Sequence, residues 1–263
     1  MRFHNKVVFI TGGAKGLGRE MAKAFLAEGA SVAVNGRNRE TVIKFEEEFK
    51  GQPVLAFNND ITDYEEMEKT AARIVEKWGK IDILVNNAGI VNPLVPSEKM
   101  RKDDFDKVIN INLKGTFYAT QIVGKKMIEQ QSGRIINIAS QVALFGEKGF
   151  LPYAISKSAL FVMTHELAHE WSQYGVTICT LAPGFIKGGM NEGLIRKEVF
   201  VNYLSGRTPI GRMGTVDEVV GTVLFLASDS AHYINGETII MDGGMTGYTR
   251  EGLFDFINKG KSQ

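Results

Sequence analysis

Short apolar runs alternate with longer amphipathic segments through most of the chain, and this alternation narrows the possible folds more than any other feature. The runs are VVFI at 7–10, SVAV at 31–34, PVLAF at 53–57, IDILVN at 81–86, RIINIA at 134–139, VTICTLA at 176–182 and TIIM at 238–241. Continuous apolar runs suit strands that are covered on both faces of a sheet. Between them, segments such as GREMAKAFLAEG and YEEMEKTAARIVEKWG space apolar residues three and four apart and end in glycine, as crossover helices do. Repeated strand-helix-strand units predict an α/β fold: a single Rossmann-type, doubly wound parallel sheet with helices on both faces. The ligand is then expected outside the carboxyl ends of the strands.

The chain has 263 residues, 44% of them hydrophobic and 23% charged, a globular composition with enough length for one large core. Residues 1–247 are read as one domain. A glycine-rich stretch at about 185–213 breaks the rhythm and is a candidate substrate lid, and 248–263 form a C-terminal tail. The net charge of +1 supplies no field to hold a polyanion, so neither nucleic acid nor an anionic membrane is expected as a partner. Cys179 stands alone and cannot form an internal disulfide, which suits a reducing compartment. No run approaches the length of a membrane span or signal peptide, so a cytoplasmic location is expected.

TGGAKGLG follows the first strand and opens the first helix. Glycines at Gly12, Gly16 and Gly18 let the backbone approach a pyrophosphate, and the free N–H groups of the helix start point at its charge. The spacing differs from the usual G-x-G-x-x-G fingerprint, so a second signal is needed. The second strand ends in VAVNGRN, where a fold that binds NAD often has an acidic residue for the ribose hydroxyls. Arg37 stands there instead, and Lys15 lies in the glycine loop; both suit a 2′-phosphate, so NADP(H) is favoured over NAD(H).

Tyr153 and Lys157 are one helical turn apart in YAISKSALFVMTHELAHEW and share a face. A nearby ammonium is expected to lower the phenol pKa and make Tyr153 a proton donor and acceptor. The ordered series TGGAKGLG, NNAG at 86–89, Asn112 in NINLKG, Ser140 after RIINIA, Tyr153-x-x-x-Lys157 and PG at 183–184 resembles the short-chain dehydrogenase/reductase family over about residues 5–245. The resemblance implies that Tyr153 transfers the proton, Ser140 bonds the substrate oxygen, and Lys157 holds the nicotinamide ribose while depressing the Tyr153 pKa. It implies that Asn112 holds a water connecting Lys157 to solvent. Cofactor contacts are implied for Gly12, Lys15, Gly16, Leu17, Gly18 and Arg37, then for Asp60 and Ile61 at the adenine. Asn87, Ala88 and Gly89 match the turn that passes the adenosine ribose, and Pro183, Gly184 and Ile186 complete the implied contacts. A homotetramer is implied as well. One departure is plain: where the family commonly has a threonine for the nicotinamide carboxamide, this chain reads Lys187, Gly188 and Gly189, and the glycine pair is expected to loosen the lid.

HELAH at 165–169 matches the zinc-protease pattern, but only His4 and His232 remain as further imidazoles. Leu160, Met163, Leu167 and Trp171 mark the covered stripe of the same helix, so His165 and His169 read as helix-face residues at a subunit contact and no metal is assigned. The substrate is read as a small molecule carrying a secondary alcohol or ketone. The C-terminal third is similar to that of gluconate 5-dehydrogenase-like sugar-acid oxidoreductases, and the GGMTGY ending to glucose 1-dehydrogenase. Lys148, Lys187, Arg196 and Arg207 are candidate partners for a substrate carboxylate. The main alternative is reduction of a 3-oxoacyl group on acyl carrier protein, against which Gln131 and Tyr174 stand where that enzyme carries arginines. A non-catalytic NADP(H)-sensing module has no need of the Ser140, Tyr153 and Lys157 set.

Overall fold

The computed structural model describes residues 1–188 and 198–247. Its first half repeats strand and helix: β1 (Val7–Ile10), α1 (Gly16–Ala27), β2 (Ser31–Gly36), α2 (Arg39–Glu48), β3 (Val54–Asn58), α3 (Tyr64–Trp78) and β4 (Ile83–Asn86). Then α4 (Lys102–Ile109), a π-helical turn (Asn110–Gly115) and α5 (Thr116–Gln130) lead to β5 (Gly133–Ile138). The short α6 (Val142–Phe145) and the long α7 (Leu151–Trp171) precede β6 (Val176–Pro183). Next come β7 (Ile186–Lys187), α8 (Glu198–Arg207), β8 (Gly214–Thr215), α9 (Val216–Ala227) and β9 (Thr238–Met241). The tail at 248–263, and residues 189–197 of the candidate lid with Gly189 and Arg196, lie outside the described residues.

Local chemistry explains the element ends. Asp63 starts α3 by accepting from the Glu66 amide, and Gly79 ends it with a left-handed φ of 81°. A reciprocal Thr215 and Glu218 capping box starts α9.

Seven strands pair in parallel in the order β3-β2-β1-β4-β5-β6-β9, and β7 pairs separately with β8. Strand side chains alternate between two buried clusters. Val8 and Ile10 pack with Met21 and Phe25 of α1 and Val223 of α9 on one face; Phe9 packs with Met67, Ile74 and Val123 of α3 and α5 on the other. The predicted doubly wound parallel sheet is therefore the observed one. Strand order reverses between β1 and β4, which opens a crevice at their carboxyl ends. Among the described residues, no helix is long and apolar enough to cross a membrane.

One buried cation ties the far side together. Arg134 on β5 is 6% exposed and donates to the carbonyls of Leu226 (2.8 Å), Ile234 (2.7 Å) and Ala231 (3.4 Å), with the Cys179 sulfur at 3.3 Å. Among the described residues no carboxylate pairs with it. The Leu226 carbonyl at the end of α9, the negative pole of that helix, and the Ala231 and Ile234 carbonyls beyond it stand in for a counter-ion.

Candidate active site

The crevice is a groove of about 870 Å³, at the upper end of the range usual for cofactor and small-molecule sites. At one end is the glycine loop. Gly12 and Gly16 have φ of 63° and 54°, conformations that favour glycine. Gly18 is needed for closeness: a Cβ there would stand 2.6 Å from Asn87 Nδ2 and 2.7 Å from the Gly12 carbonyl. The loop is latched to the NNAG turn. Thr11 Oγ1 accepts from the amides of Asn87 and Ala88, both at 3.1 Å, and Asn87 Nδ2 donates back to the Thr11 carbonyl at 3.0 Å. Asn35 at the end of β2 accepts from the Gly12 amide at 2.9 Å. A tight loop at the start of α1 with open space beside Gly16 fits a dinucleotide pyrophosphate.

Lys15, Gly36, Arg37, Asn38 and Thr41 continue the wall beyond that loop. Arg37 lies 3.6 Å from Asp60 in a half-exposed pair, and Asn58 Nδ2 anchors its backbone carbonyl. Asp60 itself does not line the groove. Its Oδ1 accepts from the Thr62 amide and hydroxyl, each at 2.9 Å, while Asn59 and Ile61 face the groove. Asp60 therefore caps the turn after β3 and pairs with Arg37, a residue of the same groove wall.

Ser140, Tyr153 and Lys157 meet at the other end. Pro152 sits at the start of α7, where a missing N–H costs nothing, and the next turn carries Tyr153 and Lys157 inward. Lys157 Nζ donates to the Ile138 carbonyl at 2.6 Å and lies 6.0 Å from the Tyr153 ring centre. Burial lowers its pKa to about 8. Tyr153 departs from expectation: burial pushes the phenol above its ordinary pKa, and only a hydrogen bond with Ser140 pulls it down. Lys157 does not offset this, since burial disfavours its own charged form as well.

Asn112 is fully buried behind Lys157 rather than in the groove wall. The π-helical turn points its side chain at the NNAG loop: Oδ1 accepts from the Ile90 amide and Nδ2 donates to the Ile90 carbonyl, each at 2.8 Å, with Ser156 at 3.1 Å. Gly89 packs beside both, a Cβ there standing in ordinary contact 3.4 Å from Asn112 Oδ1 and from Lys157 Nζ.

The remaining sequence candidates, Leu17, Ala88, Pro183, Gly184 and Ile186, line the groove, as does Gly188 at the position of the missing threonine. Residues that sequence reasoning missed are Thr11, Asn35, Gln141 and Phe150. Asn35 had a signal, a polar residue ending the apolar run VAVN. Phe150 had none; its ring stands 6.2 Å from that of Tyr153 in an edge contact. His165 and His169 are exposed on α7 beside Glu237, and among the described residues no three His, Cys, Asp or Glu side chains gather to hold a metal.

Comparison with known proteins agrees with this geometry. A family model described as enoyl-(acyl carrier protein) reductase matches residues 12–246. The chain is 38% identical over 247 residues to a 3-oxoacyl-[acyl-carrier-protein] reductase of Thermotoga maritima, covering 93% of this chain and 99% of the relative. It is 36% identical over 239 residues to the gluconate 5-dehydrogenase of Gluconobacter oxydans, covering 90% and 93%. A crystal structure of a Burkholderia cenocepacia gluconate 5-dehydrogenase with NADP and tartrate superposes with a TM-score of 0.86 at 33% identity, covering 94% of this chain and 98% of that one.

Proposed function

The chain belongs to the short-chain dehydrogenase/reductase family, an NAD(P)-dependent oxidoreductase acting on CH–OH groups, and from that premise we propose that it interconverts a secondary alcohol and a ketone on a sugar acid or polyol with NADP(H). The observation that carries the reading is the groove itself, with Ser140, Tyr153 and Lys157 at one end and Arg37 and Lys15 at the other. A nicotinamide bound there supplies the hydride acceptor or donor.

The chain's own residues then divide the work. The glycine loop and the start of α1 hold the pyrophosphate, and Arg37 and Lys15 take a 2′-phosphate. Burial keeps the Tyr153 phenol protonated, so it rests as the donor for ketone reduction. Ser140 orients that phenol and the substrate oxygen. Lys157, when charged, favours the phenolate needed for alcohol oxidation. Asn112 fixes the NNAG loop against α7 and so holds Lys157 in register. Residues 1–247 act as one catalytic unit, with about 185–213 as the lid, in a cytoplasmic homotetramer.

Reduction of a 3-oxoacyl thioester is the second reading, favoured by the Thermotoga relative. Against it, Gln131 spends its side-chain amide on the Ile128 carbonyl at the end of α5, and Tyr174 packs on the core, so neither adds the positive charge an acidic carrier requires. A panel of sugar acids, polyols and acetoacetyl thioesters, followed by NADPH absorbance, tests the choice. Turnover of sugar acids or polyols is expected; turnover of the thioester alone overturns the reading.

A further inference from the structure

Asn92 lies two residues beyond Ile90, the residue gripped by Asn112, and is 4% exposed. Its Nδ2 donates both protons, one to the Pro93 carbonyl and one across to the Gly149 carbonyl, each at 2.7 Å. Its Oδ1 is buried without a hydrogen-bond partner among the described residues, so the two donated bonds are the polar contacts this side chain makes there. Gly149 has a φ of 87°, and a Cβ on it would meet the Leu94 and Val95 backbone at 3.5 Å. The segment after NNAG therefore runs in contact with the loop before α7.

That segment is fastened to α7 at two points. Asn112 holds Ile90 and reaches Ser156 of α7, and Asn92 holds the carbonyl just before Phe150, the residue from which α7 starts. Val91 stands between the two points. Val91 and Phe150 both line the groove, and the Phe150 ring is in edge contact with that of Tyr153.

We propose that Asn92 is a positioning residue for the reaction: its bond to Gly149 sets the spacing between Val91 and Phe150, and with it the width of the groove beside Tyr153. The proposal rests on Tyr153 as the proton donor and holds for a polyol or a thioester alike. A side chain that cannot donate leaves two carbonyls unpaired and lets the segment move off the loop. A substrate seated less closely against Tyr153 then reacts more slowly, while the glycine loop keeps its grip on the cofactor.

Asn92→Ala, Phe150→Ala and the double variant are assayed as a cycle with NADP⁺ or NADPH, on whichever member of the sugar-acid, polyol and acetoacetyl thioester panel wild type turns over fastest. NADP⁺ affinity is measured in parallel by calorimetry. Asn92→Leu fills the site without donating, and it takes the place of Asn92→Ala in the cycle should the smaller side chain prevent folding. Each single variant is expected to lose about tenfold in kcat/KM, mainly through a higher KM, with NADP⁺ affinity kept. The double variant is expected to lose about tenfold as well, because without the ring there is no spacing left to set. Amide exchange followed by mass spectrometry is expected to quicken over 90–95 and 147–150 in both Asn92 variants. A loss of about a hundredfold in the double variant makes the two residues independent and overturns the proposal. Faster exchange with kcat/KM unaltered also overturns it, since the bond is then structural only, and weakened NADP⁺ binding with KM intact assigns Asn92 to the cofactor instead. Turnover of acetoacetyl thioester alone overturns the polyol reading and not this proposal, which the same cycle then decides on that substrate.

Discussion

The two ends of the groove are built differently. The glycine-loop end is held by backbone geometry: positive φ at Gly12 and Gly16, a close approach at Gly18, and reciprocal bonds between Thr11 and the NNAG turn. The catalytic end is held by buried polar side chains whose charged forms are disfavoured, Tyr153 and Lys157 above all. The first end is designed to stay fixed around a constant ligand. The second holds the Tyr153 proton more tightly than usual and the Lys157 proton less tightly.

The sharpest way to separate the ends is Tyr153→Phe, which deletes the proton donor and leaves the glycine loop untouched. Turnover is expected to fall by about 10²–10⁴-fold with NADP⁺ binding retained, measured by steady-state kinetics and calorimetry; substantial residual turnover refutes the assigned role. Arg37→Asp acts at the opposite end. It is expected to move the NADP⁺ to NAD⁺ preference by roughly ten- to a hundredfold without changing kcat at saturating cofactor, and an unaltered ratio means that Arg37 does not meet the phosphate.

Lys157 gives the catalytic end a pH signature. With a folded pKa of about 8 against 10.5 for an ordinary lysine, the ammonium is lost as pH rises past 8. The unfolded chain binds more protons between pH 8 and 10.5, so this residue's contribution to stability grows with pH through that window. Alcohol oxidation needs the Tyr153 phenolate, whose pKa lies above its ordinary value, together with the Lys157 ammonium, so kcat/KM is expected to rise with pH and flatten near pH 8, and Lys157→Arg should remove that bend. The smallest effect is expected at Glu147, which pairs with Arg207 at 3.2 Å and joins the loop before Phe150 to α8. Glu147→Gln should change KM by about two- to fivefold and leave NADP⁺ affinity alone. An altered NADP⁺ affinity means that the two ends are coupled.

This contrast also explains what was legible in the sequence. The strands, the glycine loop and the Tyr153 and Lys157 spacing are local patterns, and local patterns survive into the fold. Asn112 was legible only by resemblance, because its role depends on a π-helical turn that brings it to Ile90, 22 residues earlier. The sign of the Tyr153 shift was not legible: it is set by burial, which the neighbouring loops decide. The Arg37 and Asp60 pairing was equally hidden, since each residue ends a different segment and they meet only when β2 and β3 lie side by side.

The cluster around Arg134 has a consequence for how the molecule is made. A guanidinium on the fifth strand finds its three carbonyl acceptors in residues synthesised about ninety to a hundred positions later. Until those residues leave the ribosome, that charge must remain in water, so the fifth strand cannot settle fully into place. The nucleotide-binding half of the polypeptide is therefore not expected to make a durable fragment by itself.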